Sequence, residues 1–203
     1  MSALKKLGIA MAVAFATTAA SADAYPSKPV RVVVTTVPGP LDAFARAVLN
    51  EMQVRLKQPF VVDNKPGAGG NVGTDMVAKA PADGYTLLFA LDTTFTVNPA
   101  LYEKMPFDPQ KDFSFIGVPV TYSQVLATGP AINAKTLPEF VQLAKTRRLS
   151  YASGGNGSPS HLTMAAFLSA AGLDMVHVPY KGTGASVIDV IGGQVDSVFA
   201  VGG

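Results

Sequence analysis

Three glycine-rich turns, each placed where a hydrophobic strand pattern gives way to a helical one, constrain this chain more than any other feature. They are Asn64-Lys65-Pro66-Gly67-Ala68-Gly69-Gly70-Asn71-Val72-Gly73-Thr74, the stretch from Tyr151 to Leu162, and Val178-Pro179-Tyr180-Lys181-Gly182-Thr183-Gly184. Repeated strand–turn–helix punctuation predicts an α/β fold with mainly parallel sheets. It also leaves N–H groups without intrahelical partners at helix starts, where they can hold an anion without a cationic side chain. The implied occupant is a small acid.

The segments around those turns fit the same plan. Val30-Arg31-Val32-Val33-Val34 is a nearly continuous β-branched run, as in a parallel strand buried on both faces. Leu41, Phe44, Ala45, Val48, Met52 and Leu56 then fall on one helical face, with Asp42, Arg46, Gln53 and Arg55 opposite. Glu51 and Arg55 form a favourable i,i+4 pair. Further strands are predicted at Phe60–Val62, Tyr85–Ala90, Met175–Val178 and Ser197–Val201, with a short helix over Thr74–Lys79. Thr136-Leu137-Pro138-Glu139 reads as a capping box, and Ser158-Pro159 opens a helix over His161–Ala171. The proline-rich stretch Asn98–Phe113 breaks the rhythm, and a change of domain is expected near Val118–Gln124.

Residues 1–24 read as a secretory signal peptide. Lys5 and Lys6 precede an apolar run from Leu7 to Ala16, and small residues offer cleavage after Ala22 or Ala24. That run is shorter than the ~20 residues a membrane span needs. Export combined with the absence of cysteine points to a bacterial periplasm, with neither disulfides nor a lipidated cysteine. A formal charge of +2 with 15% charged residues lacks the basic stripe that nucleic-acid binding requires.

These turns could carry chemistry as well as binding. Gly67–Gly73 has the spacing G-x-G-G-x-x-G, and Val72 breaks the dinucleotide register, so no cofactor is expected. The second turn is the sharper signal: Gly155 and Gly157 allow close backbone approach, while Ser153, Asn156, Ser158 and Ser160 bring short polar side chains. His161, in the first helical turn, could donate to a carboxylate. Thr93 and Thr94 follow a strand and could add hydroxyl donors. Serines beside a histidine suggest a hydrolase, but there is no G-x-S-x-G elbow. Only His161 and His177 are available as bases, and two histidines at no ligand spacing with no cysteine make a metal site weaker still. A non-enzymatic receptor without a metal is the expectation.

The chain resembles a known family through an ordered series of stretches. They begin with Tyr25-Pro26-Ser27-Lys28-Pro29-Val30, Asn64–Thr74, Asp83-Gly84-Tyr85-Thr86-Leu87-Leu88 and Asn98-Pro99-Ala100-Leu101-Tyr102. Phe107-Asp108-Pro109, Ser160-His161-Leu162, His177-Val178-Pro179-Tyr180-Lys181-Gly182 and Gly192-Gly193-Gln194-Val195-Asp196 continue it. The chain is similar to the receptors of tripartite tricarboxylate transporters, the Bug-type periplasmic binding proteins. That resemblance implies a type II-like periplasmic binding protein, a monomer of two hinge-closing lobes that hands a small carboxylate, a di- or tricarboxylate or a related organic acid, to a membrane permease. An interaction protein of the same fold, reporting ligand to a membrane partner, is the alternative. The lobes are expected at 25–120 and 121–203. Carried over by position, the contacts are the turn containing Pro38, Gly39 and Asp42, then Thr93 and Thr94, and Gly155 to Ser160. The first turn is shorter and poorer in glycine than the family's. The family also continues beyond the position matching Gly203, so a C-terminally truncated product with impaired binding is expected.

Overall fold

The computed structural model describes residues 25–202, so the expected signal peptide lies outside the described residues. Two sheets organise them. The first has strand order β2-β1-β3, built from β1 (Val30–Val34), β2 (Phe60–Asn64) and β3 (Thr86–Phe89), all parallel. The β-branched run of β1 takes the central place because it can be buried on both faces: Val30, Val32, Val33 and Val34 are each at most 1% exposed. Arg31, the exception, turns outward to pair with Asp63 of β2.

Helix α1 (Pro40–Leu56) covers one face of this sheet, packing Ala45 and Leu49 onto Val30, Val32 and Val34. Helix α2 (Asn71–Ala78) covers the other, and its Gly73 lies against Val33. The buried stripe of α1 differs in detail from the predicted one. Leu49 is buried, whereas Leu56, at the last helical position before the left-handed Lys57, is exposed. Asp42, placed on the polar side by the sequence pattern, is also buried. Helix α2 starts three residues before the predicted Thr74, because Gly70 adopts a left-handed conformation and ends a short 3₁₀ turn at Ala68–Gly70.

After β3 come two single-turn helices, α3 (Thr93–Thr96) and α4 (Asn98–Leu101). The chain then runs without regular structure from Tyr102 to Tyr122. Edge-to-face contacts of Phe113 and Phe115 with Phe95, and of Phe107 with Phe113, hold this stretch against α3.

The second sheet has the order β4-β7-β5-β6, from β4 (Ser123–Thr128), β5 (Ser150–Ser153), β6 (Val176–Pro179) and β7 (Ser197–Gly202). Strand β7 runs parallel to β5 and antiparallel to β4. One face carries α5 (Leu137–Thr146) and α6 (Pro159–Ala171), whose Phe140 and Met164 pack with Leu149 and Tyr151. The other carries α7 (Thr183–Ile191), with Val190 against Ala152 and Val198. The α5 cap forms with a shift: Thr136 accepts from the Glu139 amide, while the Glu139 carboxylate reaches back to the Lys135 N–H, one residue beyond the usual partner.

Candidate functional site

A cavity of about 110 Å³ opens between the two sheets, and three helix starts meet it. The turn from Thr36 to Leu41 leads from β1 into α1, Ser158–Ser160 opens α6, and Gly182–Gly184 opens α7. Tyr122, Gln124, Phe199 and Val201 form the remaining wall of the second sheet, and Phe44 and Leu91 extend the wall of the first. Among the described lining residues there is no Lys, Arg, His, Asp or Glu. A pocket of this size suits a small acid of a few carbons, well below the volumes that hold a drug-sized ligand or a dinucleotide.

The three helix starts differ in what they offer. Neither α1 nor α7 has a side-chain cap, so their first amides stay open toward the cleft. The α6 start is closed on itself. Ser158 Oγ accepts from the His161 amide, Gly154 N–H donates to Ser160 Oγ at 2.9 Å, and Gly155 N–H donates to Ser153 Oγ at 3.1 Å. Gly157 N–H donates to His161 Nδ1 at 3.2 Å. Much of the donor capacity that the sequence assigns to this loop therefore holds the loop in shape. Ser158 and Ser160 line the cavity through hydroxyls 3.1 Å apart.

Of the sequence-predicted site residues, Pro38, Gly39, Ser158 and Ser160 are brought together in the cavity wall. Gly155, Asn156 and Gly157 stand in the loop behind it. Asp42 is turned into the protein, where its carboxylate takes hydrogen bonds from Arg46 and from Asn64 Nδ2. The Arg46 bond foremost, then Asn64, holds the Asp42 carboxyl below the usual carboxylate range against the opposing effect of burial. Thr93 and Thr94 are buried in α3, and Thr94 Oγ1 points at Gly69 O. Ser153 is fully buried, with its Oγ 2.6 Å from His177 Nε2.

His161 lies outside the cavity lining. Its ring stacks on His177 with centroids 4.4 Å apart, and His177 stacks in turn on Tyr151 at 4.8 Å. Burial lowers the pKa of both imidazoles, and for His177 the neighbouring His161 adds to the effect. Because Nδ1 of His161 accepts a hydrogen bond, its neutral ring carries the proton on Nε2. The pair is a structural prop beneath the loop.

The first of the three glycine turns, read with the others as a place for an anion, is elsewhere. Gly70 packs against Thr94 and Thr35, and Gly69 against Tyr102 and Asn98, whose side-chain amide donates to Gly69 O. Its glycines serve close packing inside the first sheet's half. Conversely, Thr36, Tyr122, Gln124 and the Gly182–Gly184 start carry more of the wall than the sequence assigns them. Only the glycine before α7 had a local signal. Gln124, and Tyr122 just before β4, reach the cleft because β4 pairs with β7 far away in the chain, which no short motif encodes.

Two α/β halves facing a cleft lined by open helix starts, hydroxyls and apolar side chains form the layout of a ligand-binding protein. The chain belongs to the tripartite tricarboxylate transporter receptor family: the family described as "Tripartite tricarboxylate transporter family receptor" (TctC) matches residues 44–202. Its members and structural neighbours are periplasmic solute-binding proteins and not enzymes. The chain is 35% identical to Protein BugT of Bordetella pertussis over 95% of its own length and 60% of that protein's. Among solved structures it is similar to Rpa4515 of R. palustris with adipate, at 28% identity and a TM-score of 0.81, covering 87% of this chain and 60% of that one. It is also similar to MatC of Rhodopseudomonas palustris with bound malate, at 31% identity and a TM-score of 0.77, covering 87% and 61%. The chain spans 51–60% of the length of these curated relatives.

Proposed function

We propose that this chain is a periplasmic receptor segment that binds a small di- or tricarboxylate between two lobes, 25–120 and 121–203, for delivery to a membrane permease. The observation that carries the reading is the cavity itself: it is lined from both sheets, two uncapped helix starts open into it, and no charged side chain is in its described wall. Open amides at helix starts attract a carboxylate through both hydrogen bonding and the helix dipole. Gly39 and Leu41 on one side, with Gly182, Thr183 and Gly184 on the other, are the amides in position. Pro38 and Pro40 contribute none.

The energetics fit this arrangement. Hydrogen bonds to a charged group contribute roughly 1.5–3 kcal/mol each, less the cost of association. About four of them reach the ~4–8 kcal/mol that corresponds to millimolar-to-micromolar binding. The malate and adipate bound by two similar proteins support the class of ligand. The family supports the permease as partner and the periplasm as compartment.

Isothermal titration of the chain against small mono-, di- and tricarboxylates tests the proposal. Weak, millimolar-range saturable binding of at least one di- or tricarboxylate, with uncharged analogues inert, is the expected result, in keeping with the impaired binding expected from the sequence. The absence of saturable binding at millimolar acid, or equal binding of the corresponding amides, would overturn it.

A further inference from the structure

The turn from β1 into α1 supplies one of the two open helix starts, yet its own backbone does little to hold it. Among the described residues, Thr36, Val37 and Pro38 form no backbone–backbone hydrogen bond, and Gly39 takes only the helical one from the Ala43 N–H. Gly39 also gives the segment freedom to pivot. The one hydrogen bond that ties Thr36–Pro38 to the rest of the described protein comes from far along the chain: Asn64 Nδ2 donates to Thr36 O at 3.0 Å.

Asn64 stands on a firm base. It is the last residue of β2, in register with Val34 of the central strand, and the next amide, Lys65 N–H, donates to Val34 O at 2.8 Å. Asn64 Nδ2 also donates to Asp42 Oδ1 at 3.0 Å, in the first turn of α1. An ionised carboxylate only accepts, so Asp42, itself held by Arg46, makes the Asn64 amide present its NH2 group rather than its oxygen. With both hydrogens engaged, the side chain staples Thr36 to Asp42 across the segment that contains the Gly39 and Leu41 amides.

We infer that Asn64 is a positioning residue for the ligand: its side-chain amide fixes the Thr36–Asp42 turn in the form that leaves the Gly39 and Leu41 amides open to a carboxylate. This role rests on the carboxylate reading of the cleft and adds how one of its walls is kept ready. Without the staple, an incoming acid would have to order Thr36 and Val37 as it binds, and that lost freedom subtracts from affinity. The first glycine turn thus serves the cleft through its opening residue, while its glycines pack elsewhere.

Asn64→Leu keeps the size of the side chain and removes both donors. In titrations followed by NMR, whichever of malate, adipate and citrate binds the wild type should bind N64L about tenfold more weakly. Amide exchange in ligand-free N64L should quicken at Gly39 and Leu41 and not at Gly182–Gly184, a contrast that general loss of stability would not produce. A measurement on the wild type covers the case in which N64L does not fold. Staple and ligand favour the same conformation and so strengthen each other, and the Asn64 side-chain amide protons should exchange more slowly with the acid bound than without it. Unchanged affinity in N64L, equal quickening at Gly182–Gly184, or Asn64 side-chain exchange indifferent to bound acid overturns the role and leaves the carboxylate reading standing. No binding of any of the three acids to the wild type overturns the two together.

Discussion

Gly182 is the residue on which the cleft's geometry is least forgiving. Its backbone sits at φ 126° and ψ 153°, a region open essentially to glycine, and a Cβ there would lie 2.8 Å from Val37 Cγ2 across the cleft. G182A should lower the unfolding free energy by about 1–3 kcal/mol, the cost of such a backbone state, and weaken carboxylate binding. Gly184, two residues on, has nothing within 4 Å of an added Cβ and lies inside α7. G184A should be neutral or stabilising by up to about 1 kcal/mol. Denaturant titration of the two variants checks the contrast, and equal destabilisation would show that the Val37 approach does not matter. The histidine prop makes a second prediction at this scale. Burial holds both imidazoles below their ordinary pKa of about 6.5, so the unfolded chain binds more protons just below that pH. Their contribution to stability is complete above pH ~6.5 and is lost as pH falls through the lowered folded values. His161→Asn keeps an acceptor for the Gly157 N–H and removes one titrating ring. Its thermal midpoint should fall less between pH 7 and pH 5 than the wild type's, and an unchanged slope in differential scanning calorimetry would refute the assignment.

Where local chemistry decides an element's limits, those limits were readable in the chain. Ser158 and Thr136 cap their helices as the side-chain pattern predicts, and the β-branched run at Val30–Val34 takes the central place in its sheet. The Thr136 cap is the testable instance. Thr136→Ala removes the acceptor for the Glu139 amide at the start of α5 and should cost about 1 kcal/mol, measured by chemical unfolding. Loss of less than a few tenths would mean that the Glu139 bond to Lys135 N–H alone holds this helix start. Legibility fails where partners far away in the chain decide. Leu49 completes the α1 stripe because it packs with Val30, Val32 and Val34, whereas Leu56, at the last helical position, is exposed. Asp42 is buried because Arg46 and Asn64 satisfy it, and Asn64 lies 22 residues away. The glycine pattern marks three strand–helix junctions correctly, yet cannot tell which of them faces a cleft and which packs against α3 and α4.

That distinction becomes measurable only for the whole molecule, because the cleft exists only where both halves meet. If the carboxylate is gripped by main-chain amides from both sheets, ligand must protect those amides and no others of the glycine turns. Amides buried under a ligand exchange more slowly with solvent, since exchange then requires release or local opening. With malate or citrate in about hundredfold excess over its dissociation constant, the bound state is favoured by about 2.7 kcal/mol. Hydrogen exchange followed residue by residue should then slow at Gly39 and Leu41 at the start of α1 and at Gly182, Thr183 and Gly184 at the start of α7. The Gly67–Gly73 turn, packed against Thr94, Thr35 and Asn98 within its own half, should keep its rate. So should Gly157, whose amide is already held by His161. Protection confined to one half would mean that the acid docks on a single lobe and that the second sheet contributes shape alone. Protection at Gly67–Gly70 without protection at Gly182–Gly184 would place the site on the opposite junction and remove the physical basis for a receptor that holds its ligand between two lobes.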